Sequence, residues 1–389
     1  MTAAALALLL LLPAQEPPAL EGCKRCDHRG VRDCERHPDL LRELDGTVIL
    51  RDSLAARCPD CGGSLLVDCP KCDGGPESAR REARRAELQA WLRIPHRVEQ
   101  ILGRPLHRIE TPRFRLIVDV ESLRAGRRKV EGPLFACVLA RDLEATAQRL
   151  DADFGFAPED YRSPMRMYFW GRREDHALVM EKFLFSSKTG DFKFLGKDPL
   201  FSVWTADPTF GNEAGAIHSL AVHNAPHMLI SNAVFEQWFG DMGAGWLDAG
   251  PAHYYEELLF GRSVNYCVDE TYEIPNWKDG IWRAALRRRL EREDAALLPA
   301  LLRKQTGELR DDEHALCWSL FDWLAHEHPE VLRPFVEGAK RRKPARELFR
   351  EGLGLDVAGA EEAWRAWVAE SYPRKEPRRR SFGPPVPWD

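Results

Sequence analysis

A chain of 389 residues with 44% hydrophobic and 10% aromatic content can bury a sizeable core. Its length predicts two or three domains rather than one. The net charge of −5 excludes a globally basic nucleic-acid binder, although basic runs stand at Arg80–Arg85 and Arg374–Arg380.

Met1 to Leu12 is a run of small and apolar residues, followed by Pro13-Ala14-Gln15-Glu16-Pro17-Pro18. Roughly ten apolar residues suit the core of a signal peptide and are too few to cross a bilayer, which takes about 20. We therefore expect residues 1–19 to be a leader cut after Ala14 or Ala19, and the protein to be exported to the periplasm or beyond. A frayed apolar N-terminus on a cytosolic protein is the alternative. No later stretch is long and apolar enough for a membrane helix.

Residues 20–76 hold seven of the ten cysteines. Cys23-x-x-Cys26 and Cys34-x-x-His37 form one unit, Cys58-x-x-Cys61 and Cys69-x-x-Cys72 the next, with Asp33 and Asp68 preceding the third ligand of each. A pair two residues apart makes a tight knuckle that points two donors inward, and two knuckles make a tetrahedral site. Eight ligands predict two structural Zn2+ ions, one held by three cysteines and a histidine, the other by four cysteines. The spacing leaves open whether knuckles pair within or across the two units. Disulfides are the competing use of the cysteines in an exported chain. The stretch Cys58-Pro-Asp-Cys61-Gly-Gly and Cys69-Pro-Lys-Cys72-Asp-Gly-Gly resembles the C-x-x-C-x-G-x-G repeats of the DnaJ cysteine-rich zinc domain. The first unit lacks those glycines. That resemblance implies pairing across units.

Residues 77–106 read as a charged helical linker, with Leu88, Trp91, Leu92 and Val98 inward and Pro95 and Pro105 as boundaries. A strand is predicted at Phe114–Val118, a helix over Gly132–Phe154, and strands at Met165–Trp170 and Phe201–Thr205. A helix apolar nearly all round follows over Glu213–Phe239, broken near Pro226, and such a pattern predicts burial. Pro251 is placed in the first turn of the next helix, where proline is tolerated. From Trp277 to Tyr372 the pattern is helical, with amphipathic stretches at Trp282–Leu302, His314–His326 and Glu361–Tyr372. The fold class is α+β, and residues 374–389 read as a disordered basic tail.

The chemistry-bearing stretch is Ser219 to Glu256. His223 and His227 lie one turn apart on one helix face, so both imidazoles can reach a single ion. After a loop comes Gly-Trp246-Leu247-Asp248-Ala249-Gly250-Pro-Ala252-His253-Tyr254-Tyr-Glu256. Together the two halves resemble the gluzincin (peptidase MA-like) zinc proteases, whose H-E-x-x-H is followed roughly twenty residues later by W-L-x-E-G-x-A-x-Y. The resemblance spans residues 107–373 and implies a small sheet, a histidine helix and a ligand helix. It also places Asn224 where the family has its general base and Ala249 where the family has its third zinc ligand. An amide cannot deprotonate a metal-bound water, and alanine offers a metal nothing. The expectation is a pseudopeptidase, with no catalytic residue, that binds protein or peptide. Three alternatives bear on it. His253 lies one turn beyond Ala249, so His223, His227 and His253 form a candidate vestigial metal set; a working zinc hydrolase rebuilt on them would need Glu256 or Asp248 as base. The groove could also be only a scaffold. Lastly, the zinc module and basic tail could bind nucleic acid.

Overall fold

A computed structural model of the chain describes residues 23–27, 29–71, 75, 77–187, 190–266 and 277–376. The expected leader, Cys72 and most of the basic tail (377–389) lie outside the described residues. The fold is mixed α and β, and the chain divides into two compact units. The first comprises the described parts of 1–37 and 54–94; the second comprises 38–53 and everything from Pro95 on. Pro38–Ser53, read from sequence as part of the cysteine module, thus belongs to the second unit.

In the first unit, Val31–Asp33 and Leu66–Asp68 form an antiparallel pair, with Val31 opposite Asp68. The pairing runs on at both ends, through Cys34 N to Leu65 O (2.8 Å) and Cys69 N to Gly30 O (3.0 Å). The helix Ser78–Leu92 buries Leu88 and donates Gln89 Nε2 to Ala56 O at 2.5 Å. Gly63 has φ +96°, and a Cβ there would stand 2.6 Å from Leu88 Cδ1 and 2.9 Å from Ala56 Cα. Only glycine fits that turn. The region read as one charged helix to Leu106 is two helices, since Arg97–Leu102 starts afresh on a capping box of His96 and Glu99 and ends at Gly103 (φ +66°).

The second unit is built on a six-stranded mixed sheet. Its strands are β1 (Arg51–Asp52), β2 (Arg108–Glu110), β3 (Phe114–Asp119), β4 (Met165–Trp170), β5 (Phe192–Phe194) and β6 (Leu200–Trp204), in the spatial order β1-β2-β3-β4-β6-β5. Strands β3, β4 and β6 run parallel, and the outer pairings are antiparallel. Five of the six residues of β4 are buried, as a central strand covered on both faces requires. Helix α1 (Gly132–Phe154) joins β3 to β4 and packs on β3. Strands β1, β2 and β5 were not expected, nor was the hairpin Ser122–Ala125/Arg128–Glu131. Each has two to four residues, too short for a period-2 pattern to register.

Against α1 packs α2 (Ala214–Asn232), and against α2 packs α3 (Gly245–Phe260), which in turn lies against α4 (Asp311–Glu327). The last long helix is α5 (Val357–Ser371). Helix α2 runs through Pro226 without the expected break. Proline costs about 3 kcal/mol inside a helix, but α2 is buried along almost its whole length, and tertiary packing of that extent outweighs it. The helix stops at Asn232 rather than Phe239. There the Lys340 ammonium donates to Ser231 O (3.0 Å), Ala233 O (2.6 Å) and Phe235 O (2.7 Å), satisfying carbonyls that a helix end leaves bare. Pro251 is likewise interior to α3, which begins at Gly245, and not in its first turn.

Gly250 has a packing role in the α3–α4 crossing. A Cβ there would lie 2.8 Å from Cys317 O and 2.9 Å from Phe321 Cβ. Gly250→Ala should therefore force the helices apart and cost about 1–3 kcal/mol. A lowered urea midpoint, read by tryptophan fluorescence, would show it, and an unchanged midpoint would contradict the close crossing.

Candidate functional site

The antiparallel pair of the first unit decides how the knuckles combine. In such a ladder the start of one strand meets the end of the other. Cys23 and Cys26, ahead of the first strand, therefore gather with Cys69 after the second. Cys34 and His37 gather with Cys58 and Cys61 at the opposite end. Pairing is across the two sequence units and nested, outer with outer and inner with inner. Cys72, the expected fourth member of the outer set, lies outside the described residues.

The distances suit zinc. Thiolates about 2.3 Å from a tetrahedral ion stand about 3.8 Å apart. Cys23 Sγ and Cys69 Sγ are 3.8 Å apart, and Cys34 Sγ and Cys58 Sγ 3.9 Å. His37 Nε2 lies 3.2 Å from Cys61 Sγ. Burial pushes the Cys61 thiol up to about 12 and raises Cys34, whereas at Cys58 the amides of Cys61 and Asp60 outweigh burial and lower it. Cys34 and Cys61 are thus poor anions alone and good ligands once a divalent cation offsets their charge.

In the second unit, α2, α3 and α4 enclose four imidazoles and two carboxylates, all within 3% of full burial. His227 Nδ1 donates to Asp248 Oδ1 (2.9 Å), whose other oxygen accepts from Thr306 Oγ1 (2.8 Å). His223 Nδ1 donates to Glu256 Oε2 (3.0 Å). Glu256 also accepts from Ser263 Oγ (2.7 Å), Val264 N (2.9 Å) and Asn265 Nδ2 (2.7 Å). Because Ser263 spends its proton on Glu256, it accepts from His253 Nδ1 at 2.8 Å. His253 Nε2 then accepts from His314 Nδ1, also at 2.8 Å. The relay ends at His314 Nε2, fully buried and without a partner among the described residues.

No protein-family model matches the chain, and no curated protein does either. The functional reading therefore rests on this geometry. His223 and His227 stand together, with ring centroids 5.4 Å apart. His253 joins His223 at 4.9 Å, but both its nitrogens are engaged, one by Ser263 and one by His314. The group close enough to share an ion is His223, His253 and Glu256, with His227 turned to Asp248. A cation there would have to displace the Ser263 hydroxyl, which already bonds both His253 and Glu256. Asn224 is turned from the cluster, its Nδ2 donating to Leu220 O on its own helix at 2.8 Å, and Ala249 presents a buried methyl. Sequence reasoning missed Ser263, Asn265, Thr306 and His314. Only His314 carried a signal, as a histidine on the apolar face of an amphipathic helix.

Burial sets the charge states. It drives His223 and His253 well below the usual imidazole range and His314 down to about 3, the neighbouring histidines adding to the effect. Burial lifts Glu256 to about 7 despite its donors. At Asp248 burial would do the same, but His227 and Thr306 outweigh it and its pKa falls.

Two predictions follow from these sites. The first unit should carry two zinc ions per chain by elemental analysis, and Cys61→Ala should lose one of them. A histidine with depressed folded pKa gives stability that is present above its unfolded value near 6.5 and lost as pH falls toward the folded one. Glu256 works oppositely, gaining as pH falls through about 7, but it is one group against three. The urea midpoint of the full chain should therefore drop from pH 7 to pH 5, and less steeply in His314→Asn. A His314→Asn slope as steep as that of the unaltered chain would contradict the assignment.

Proposed function

We propose that the second unit is a gluzincin-like peptidase fold that no longer cuts, and that it holds extended protein or peptide. The carrying observation is the state of two positions: the Asn224 amide bonded back along its own helix and the Ala249 methyl buried where a ligand is needed. The side-by-side packing of α2 and α3 and the element order before them support the ancestry. In the same reading the first unit is a DnaJ-like two-zinc module that staples a segment too small to fold by itself. On the same reading, residues 1–19 are an export leader and the protein works in the periplasm or the extracellular space.

Peptide binding would use β5, the antiparallel strand at the end of the sheet, whose outer backbone groups can pair with an added strand. Phe194 on β5 is half exposed and Phe185 before it 84% exposed, which gives apolar anchors. Lys193, between Phe192 and Phe194, is near enough to the histidine cluster to depress His223, His253 and His314 further, so this edge borders the former catalytic region.

Fluorescently labelled casein tests the reading as a loosely folded probe. It should bind the full chain saturably, remain uncut over hours, and bind about tenfold more weakly to Phe194→Asp, the loss expected of one apolar anchor. Chelator-sensitive digestion would instead make the protein a working hydrolase. Absence of binding would reduce the fold to a scaffold. Asn224→Glu with Ala249→Glu should add one zinc per chain to the two of the first unit.

A further inference from the structure

A cavity of about 310 Å³ opens where β3 and β4 begin side by side, with Phe114 opposite Met165. Its walls carry three guanidinium groups, Arg113, Arg115 and Arg162, and no carboxylate. Prolines 112, 158 and 164 stand on the same walls and fix the backbone there.

The three guanidinium groups are unequally engaged by acids outside the cavity. Arg113 pairs with Asp151, which also takes the Tyr161 hydroxyl, and its Nε is buried without a partner among the described residues. Arg115 spends Nη1 on Thr111 O (2.6 Å) and Phe114 O (3.0 Å). Its nearest carboxylate, Glu110 at 3.5 Å, is shared with Arg51 at 3.1 Å. Arg162 makes no ion pair among the described residues; Nη2 donates only to Val234 O (3.1 Å). The carboxylates nearest these arginines, Asp151, Glu144, Glu110 and Asp160, all lie outside the cavity lining, so the walls themselves present only positive charge.

We propose that this cavity binds a small oxyanion, a phosphate ester or a carboxylate. Guanidinium donors match such groups with two parallel hydrogen bonds. The volume sits at the lower end of the range for small-molecule sites, about 300–1,000 Å³. Ser163 and the Arg113-stacked Tyr161 ring (5.6 Å) supply a polar contact and a flat wall for the rest of the molecule. The site stands apart from the histidine cluster and does not depend on the peptidase-like reading.

Calorimetric titration of the full chain with inorganic phosphate, and separately with citrate, at constant ionic strength in chloride tests this. One saturable site is expected, with Kd raised at least tenfold by Arg162→Glu and unmoved by Arg310→Glu, an exposed arginine elsewhere. Arg162 is exposed, so its replacement should leave the fold intact, and an unchanged thermal midpoint checks that. Whichever anion binds more tightly names the group recognised. No saturable phase with either anion, or one that Arg162→Glu leaves unaltered, overturns the proposal.

Discussion

The second unit depends on matching imidazole to carboxylate in a dry interior. Helices α2 and α3 pack along faces that are buried almost entirely, yet those faces carry His223, His227, Asp248, His253 and Glu256. An isolated charge at such depth would cost several kcal/mol. The cost is avoided because each carboxylate on α3 accepts a hydrogen bond from the Nδ1 of a histidine on α2. The pairing also fixes the register of the two helices. Sliding α3 by one turn would part both acids from their histidines. The small residues at the crossing act in the same direction, since Gly250 lets α4 approach closely enough to bring His314 to His253.

That network bears on chemistry as well as stability. A hydrolytic zinc site needs free imidazole nitrogens, a third ligand and a base with access to water. Here the Asn224 amide is engaged with Leu220, Ala249 presents a methyl, and the nearest carboxylate, Glu256, accepts from Ser263, Val264 and Asn265. Glu256 has a pKa near that of a useful general base, about 7. The same burial that raises this value encloses the carboxylate among its donors.

What was legible in the sequence was whatever repeats locally. The C-x-x-C spacing announced the zinc knuckles, and the four-residue step of His223 and His227 announced a shared helix face. Long elements such as Gly132–Phe154 and Met165–Trp170 read to the residue. The partners of the knuckles were not legible, because they depend on a three-residue ladder whose members, Val31–Asp33 and Leu66–Asp68, carry no pattern of their own. Ser263 and His314 escaped for a related reason. Each contributes one side chain from 10 and 61 positions away from His253, and no period links such positions. Pro226 and Pro251 misled in the other direction: local propensity argued for a break and a boundary, and burial overrode both.

The relay from His314 to His223 also constrains how this core can change. Replacing a whole buried polar network by well-packed apolar residues is often neutral or stabilising, whereas removing one member strands its partner and costs about 3–5 kcal/mol when the partner is charged. A single substitution at Glu256 would orphan three donors from the segment Ser263–Asn265 along with His223, and one at Ser263 would break the link between Glu256 and His253. Changes at either of these two positions therefore run uphill. A core of this kind maintains itself, because its members hold one another in place.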